Sequence, residues 1–305
     1  MKVKLRQAFS FCQKGLRTKQ EDARYPDSDR PDMAGLRCFA VCDGVGGLDK
    51  GEVASRAVAD ALGQAVDHSD HEAPFTPDQF SAALDAAFMA VQKLMEPDST
   101  EMATTMTFLY FHGNGAFVAH MGDSRIYHIR PGVGILYRSD DHSLVNALVH
   151  SGNLTPQQAI DHPQSNIITR CIGYVSPGAQ RPAATTLNIS DIEPGDYFFL
   201  CSDGVTHCLD DRKLETIICD VALSDPEKIA IIARSSVDSP DNNTAYLVAI
   251  DDVDRRPVAT GATHAGPSGV STEMLARPVE QAKEISAGRL SAVSRISGFI
   301  KSLFR

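Results

Sequence analysis

Twice in this 305-residue chain an apolar, strand-like run ends in Asp-Gly: Phe39-Ala-Val-Cys-Asp43-Gly44 and Tyr197-Phe-Phe-Leu-Cys-Ser-Asp203-Gly204. A third acidic site, Asp241-Asn242-Asn243-Thr244, directly precedes the run 245–250, and a fourth, Gly122-Asp123-Ser124-Arg125, lies between two such runs. One Asp-Gly alone is turn chemistry. Several acids at strand ends carry more meaning, because a strand end is a fixed point on a rigid sheet that still faces solvent. A glycine beside each acid lets a backbone carbonyl approach a ligand closely. Hard oxygen ligands, with no Cys or His spacing to compete, suit Mg²⁺ or Mn²⁺ rather than zinc. Without cations the same carboxylates repel one another and raise each other's pKa.

The elements that must position these acids are readable from pattern. Short runs rich in Val, Phe, Tyr and Ile at 38–42, 106–111, 117–121, 126–129, 197–201 and 245–250 predict strands. Between 106 and 137 the loops are only a few residues long, too short for a crossover helix, so the strands there should be antiparallel. After Gly51, Val53, Ala54, Ala57, Val58, Ala61 and Leu62 recur at helical period. Thr76-Pro77-Asp78-Gln79 has the form of a capping box with Pro at the first helical position. A third helix is expected from Asp225-Pro226 onward. The sum is an α+β domain of stacked sheets flanked by helices.

With the acids placed, the order of motifs resembles that of the metal-dependent protein phosphatases (PPM, type 2C), over residues 8–250. Gly15-Leu-Arg17-Thr-Lys-Gln20-Glu21-Asp22 is similar to the family's G-x-R-x-x-N-E-D, with Gln20 for Asn. Val41-Cys-Asp43-Gly44-Val45-Gly46-Gly47 is similar to V-x-D-G-x-G-G, and Ala103-Thr104-Thr105 stands where G-T-T is usual. Gly122-Asp123-Ser124-Arg125-Ile-Tyr127 matches G-D-S-R-x-Y, and Asp141-His142-Ser143 resembles D-H-S. His162-Pro163 through Thr169-Arg170 and Gly173, then Ser202-Asp203-Gly204 and Asp241-Asn242-x-Thr244, complete the series.

The resemblance implies a β-sandwich of two antiparallel sheets between helices, with a dinuclear Mn²⁺ or Mg²⁺ site at one end. It implies a phosphoprotein phosphatase acting on phosphoserine and phosphothreonine, opposing a cognate Ser/Thr kinase. By the same resemblance Asp43 bridges two cations, the Gly44 carbonyl joins one, and Asp203 and Asp241 hold the other. Glu21 and Asp22 orient bound waters, and Asp123 either helps hold a weaker third cation or only closes a turn. Arg17 clamps the substrate phosphate, a task that suits a planar guanidinium better than a point charge. His142 is either a structural histidine or a proton donor. Many members carry a His two places after the bridging Asp; Val45 stands there, so a bound water has to protonate the leaving group. The alternatives are an inactive family member used as a scaffold, disfavoured by the presence of all three acids, and a nuclease, disfavoured by the charge balance.

That balance is a formal net charge of -10, and it is uneven. Residues 253–305 carry eight basic and four acidic groups, so the tail is +4 and residues 1–252 are -14. An acidic body lacks the basic stripe that nucleic-acid binding needs. The chain is 43% hydrophobic and 22% charged, an ordinary globular composition, with no apolar run long enough to span a membrane as a helix. The N-terminus has no apolar segment of the secretory kind, and seven cysteines without metal-ligand spacing suit a reducing cytoplasm. The expected organisation is a catalytic domain over 1–252 with a flap at about 144–183, a Gly/Pro/Ser/Thr-rich linker over 253–272, and a basic amphipathic tail over 273–305. The tail would dock on the body or a partner, touch a membrane surface, or stay disordered.

Overall fold

The structure, a computed structural model, describes residues 1–45, 50–67, 69–95, 102–160, 162–176 and 178–255. Gly46, Gly47, nearly all of the linker and the whole amphipathic tail lie outside the described residues.

In chain order the strands are β1 (Lys2–Leu5), β2 (Phe9–Gln13), β3 (Ala23–Tyr25), β4 (Cys38–Cys42), β5 (Ala103–Thr104), β6 (Met106–His112), β7 (Gly115–Met121), β8 (Arg125–Arg130), β9 (Gly134–Arg138), β10 (Ile172–Gly173), β11 (Thr185–Ile189), β12 (Tyr197–Cys201) and β13 (Asn243–Asp254). The helices are α1 (Gly51–Val66), α2 (Pro77–Leu94), α3 (Leu144–His150), α4 (Pro156–Ile160), α5 (Asp203–Thr206), α6 (Asp211–Cys219) and α7 (Asp225–Ser235). One sheet runs β1-β13-β12-β8-β9, with β2 also on β13; the other runs β11-β7-β6-β4-β3. Every pairing in both is antiparallel, as the short loops require.

Period two explains how two sheets and two helical layers fit together. In β4, Phe39 and Val41 join the core between the sheets, while Cys38, Ala40 and Cys42 face α1 and α2. In β12, Phe198 and Leu200 point between the sheets, while Tyr197, Phe199 and Cys201 pack under α5, α6 and α7. Both faces of each central strand are covered, so the runs read as continuously apolar. Burial of a side chain such as Phe39 or Phe198 contributes roughly 1.5–3 kcal/mol. The layers are helix, sheet, sheet, helix, as expected. All seven cysteines are free thiols.

The helix starts obey local rules. Thr76 Oγ1 accepts from Gln79 N–H at 3.2 Å, and Gln79 Oε1 accepts from Thr76 N–H at 2.8 Å, closing the capping box of α2. The buried face of α1 is rotated from the expected one: it is Ala54, Ser55, Val58, Ala59, Leu62, Gly63 and Val66. Two distant contacts lie on that face. Ser55 Oγ donates to the Glu21 carbonyl at 2.5 Å, and Gly63 lies against the Tyr25 ring, where a Cβ would come within 2.2 Å. Strand β13 continues to Asp254, paired with Lys2, four residues past the expected strand end at Ile250.

Candidate metal centre

The predicted residues gather at one end of the sandwich. Asp43 ends β4, Asp203 follows β12, Asp241 precedes β13, Asp123 lies between β7 and β8, and Glu21 and Asp22 precede β3. Arg17 sits on the loop between β2 and β3.

Asp43 is held by its backbone. Its carbonyl accepts from Thr105 N–H at 2.8 Å and Thr104 Oγ1 at 2.7 Å, and its N–H donates to Thr105 Oγ1 at 2.9 Å. Thr105 Oγ1 also lies 2.7 Å from Ser124 Oγ, beside Asp123. Gly44 N–H donates to the Glu21 carbonyl at 3.1 Å. A Cβ on Gly44 would stand 2.6 Å from the Gly51 carbonyl, so no other residue fits there without backbone movement.

Asn242 ties the arginine loop to the acid sites. Its Nδ2 donates to the Lys14 and Lys19 carbonyls, each at 2.8 Å, and its Oδ1 accepts from Glu21 N–H at 2.7 Å. One buried amide therefore spans both ends of the loop. Leu16 N–H donates to the Ser239 carbonyl at 2.9 Å. Gly15, at φ 59°, approaches the Asp241 carbonyl so closely that a Cβ would lie 2.2 Å from it. Ser202 Oγ donates to Asp22 Oδ2 at 2.8 Å and accepts from Thr244 N–H at 3.0 Å. The roles of Thr104, Thr105, Ser202 and Asn242 were missed by sequence reasoning, although their motifs were seen. What could have found them is a run of small polar residues inside otherwise apolar strand ends.

The electrostatics are those of acids short of positive charge. Burial, reinforced by Asp203 and Asp241, pushes Asp22 up to about 7. Burial, reinforced by Asp203 and Asp141, pushes Asp123 up to about 7. Burial and the surrounding carboxylates Asp22, Asp203, Asp123 and Asp241 hold Asp43 well above the usual range. Asp203 is raised too, chiefly by burial, against the pull of His207, whose Nε2 is 3.8 Å away. Glu21 is raised by burial and by Glu52.

Three oxygens at this end, Asp22 Oδ1, Asp203 Oδ1 and Glu52 Oε2, are buried with no hydrogen-bond partner. Orphaned carboxylate oxygens from Asp22, Asp203 and Glu52, gathered at one end of the sandwich, fit a hard divalent cation. Among the described residues, no group of three or more His, Cys, Asp or Glu side chains stands converged on one point as a closed cage. Asp241 accounts for part of this: its Oδ2 accepts from Arg17 Nη2 at 2.6 Å and its Oδ1 from Asn242 N–H at 2.8 Å.

His142 has a structural role. Its Nδ1 accepts from Gly122 N–H at 3.3 Å, which leaves Nε2 to donate to Thr185 Oγ1 at 2.9 Å. Burial, helped by His120 and Arg170, lowers its pKa to about 4, so it is neutral near pH 7. The segment beyond it contains α3 and α4, and Thr169 N–H donates back to the His142 carbonyl at 2.7 Å.

Comparison with known proteins identifies the family. A family described as protein phosphatase 2C matches residues 23–228. The chain is 34% identical over 297 residues to the serine/threonine protein phosphatase PstP of Mycobacterium tuberculosis, covering 94% of this chain and 51% of that protein. It thus spans about half the length of that relative. It is also 34% identical over 224 residues to the protein phosphatase PhpP of Streptococcus pneumoniae, covering 72% of this chain and 89% of the relative. A crystal structure of the PstP catalytic domain in complex with two manganese ions superposes with a TM-score of 0.64 at 29% identity, over 82% of this chain and all of that one. By the family match over residues 23–228 and by its identity to PhpP, the chain belongs to the protein phosphatase 2C family.

Proposed function

We propose that this chain is a Ser/Thr protein phosphatase that hydrolyses phosphoserine and phosphothreonine with Mn²⁺ or Mg²⁺, opposing a cognate kinase. The observation that carries this reading is the set of buried, unpartnered carboxylate oxygens at strand ends beside an arginine-bearing loop. The residues that would hold two cations are Asp43, the Gly44 carbonyl, Asp203 and Asp241. Glu21 and Asp22 would orient bound waters, and Asp123 would serve a weaker third ion. When bound, two such cations supply a water of lowered pKa and neutralise charge on the phosphate oxygens.

The remaining work falls to the chain itself. Thr104 and Thr105 fix the Asp43 backbone from both sides, so its carboxylate needs no reorganisation. Arg17, once released from Asp241, presents its guanidinium to two phosphate oxygens and orients the ester. Val45 offers no proton at the position beside the bridging acid, and His142 is neutral and tied down, so the proton for the leaving alkoxide comes from water. Residues 144–183, anchored at His142, would act as the flap that meets the substrate protein. No helix among the described residues is long and apolar enough to cross a membrane.

The test is hydrolysis of a phosphothreonine peptide with Mn²⁺ by wild type, Asp43→Asn and Asp203→Asn. Turnover by wild type with loss of at least about a thousandfold in each variant supports the reading. Wild type as inert as the variants across several peptides refutes it and favours a scaffold.

A further inference from the structure

The loop 14–19 is the local exception on an acidic body: Lys14, Arg17 and Lys19 give three cations in six residues with no acid among them, and all three are exposed. It is also rigidly placed. Asn242 holds both ends of it, Leu16 is fastened to Ser239, and Gly15 is pressed against Asp241. Among the described residues, the ion pair of Lys19 is with Glu52, at 3.9 Å between two exposed groups, a pair too loose and too hydrated to consume its charge. A flexible basic loop would lose its charges into solvent disorder. A pinned backbone roots them three residues before and two residues after Arg17, within reach of the same peptide.

We propose that this loop selects substrates, favouring phosphoproteins with acidic residues flanking the phosphorylated one; this rests on the phosphatase reading above. With the phosphate at Arg17, an extended peptide advances about 3.3 Å per residue. Residues within three positions of the phosphoresidue therefore lie within reach of Lys14 and Lys19. The body as a whole, -14 over residues 1–252 even with the loop's three cations counted, repels acidic sequences, so the loop supplies the charge that lets them approach. The two lysines act on binding and leave the chemical step alone.

Three phosphothreonine peptides of equal length, flanked by Asp/Glu, by Ala or by Lys, decide the matter with Mn²⁺ present. Wild type should prefer the acidic peptide over the basic one by about fivefold in kcat/KM at low salt, mostly through KM, and the gap should close in high salt. The double variant Lys14→Glu/Lys19→Glu should reverse the order. Equal kcat/KM for all three peptides in wild type, or an unchanged preference in the double variant, overturns the loop's role alone. A wild type inert on all three overturns the phosphatase reading together with it.

Discussion

Strand β12 has an acid just beyond each end, and the two could hardly be treated more differently. At its start, Asp196 is fully buried; its Oδ1 accepts from Arg130 Nε at 2.8 Å, and its Oδ2 lies 2.8 Å from His128 Nε2 and accepts from Glu193 N–H at 2.9 Å. Those partners outweigh burial and hold its pKa at about 2. At the other end, Asp203 keeps an orphaned oxygen, and with Asp22, Asp43 and Asp123 it titrates above the usual carboxylate range. Same strand, same residue type, opposite treatment. A satisfied acid is part of the fold, whereas a cluster of unsatisfied ones is a demand for positive charge that the chain itself does not meet.

Substitution at the two ends should separate these roles. Removing the carboxylate at the site end abolishes activity while sparing the fold: Asp203→Asn should raise metal-free stability slightly, because it deletes a repelled charge. At the other end, Asp196→Ala strands Arg130 and His128 and should cost about 3–5 kcal/mol, read by urea denaturation. Its kcat per folded molecule should stay near wild type. A stability loss in Asp203→Asn as large as in Asp196→Ala would erase the contrast.

The same comparison fixes the sign of two pH effects. Asp22 and Asp123 have folded pKa values near 7, above their unfolded values. The metal-free folded state thus binds more protons between about pH 4 and 7, and stability falls as pH rises through that window. Asp196 works the other way: its contribution is complete above the unfolded value and is lost as pH falls toward 2. Metal-free protein should therefore melt on the order of 5–10 °C lower at pH 8 than at pH 5.5, with saturating Mn²⁺ removing the difference. A metal-free melting point that rises over the same range contradicts the electrostatic picture.

Arg17 sharpens the contrast further, because it is the nearest thing to a partner that the site end possesses. Its pair with Asp241 means that a cation and the guanidinium compete for one carboxylate. Arg17→Ala should raise KM for phosphopeptides by about tenfold while leaving Mn²⁺ affinity equal or higher. Parallel loss of both would remove Arg17 from the clamp role. The smallest effect on KM is expected at Asn242→Asp, which keeps the acceptor for Glu21 N–H but turns a carboxylate oxygen toward the Lys14 and Lys19 carbonyls where two donors stood. KM should rise by a few fold, and the metal-free melting point should fall, because a buried charge then faces two carbonyls and joins an end already crowded with acids.

What could be read from sequence was local. The strands ending in Asp43 and Asp203 and the capping box at Thr76 each rest on neighbours within a few residues, where period and spacing are decisive. So were the site acids, because glycine and aspartate at a strand end are a pattern in one dimension. What stayed hidden depends on contacts far along the chain. Thr104 supports Asp43 across 61 residues, and Asn242 grips Lys14 across 228. The buried face of α1 takes in Ser55, bonded to the Glu21 carbonyl, and Gly63, against the Tyr25 ring, contacts that its own apolar spacing does not show. Strand β11, almost wholly exposed, lacked a hydrophobic signal because it is an edge strand. The ion pair between Arg17 and Asp241, which sets the starting state of the site, joins two motifs whose spacing says nothing of their meeting.

The claim beneath all of this is that the acids at the far end of β12 are a divalent-cation site. Calorimetric titration of Mn²⁺ into metal-free wild type and Asp43→Asn at pH 7.5 tests it most directly. Wild type should take up about two ions per chain, and Asp43→Asn, which loses the shared ligand, should bind far more weakly. Uptake by Asp43→Asn that matches wild type in number and affinity would place the cations elsewhere and contradict the account.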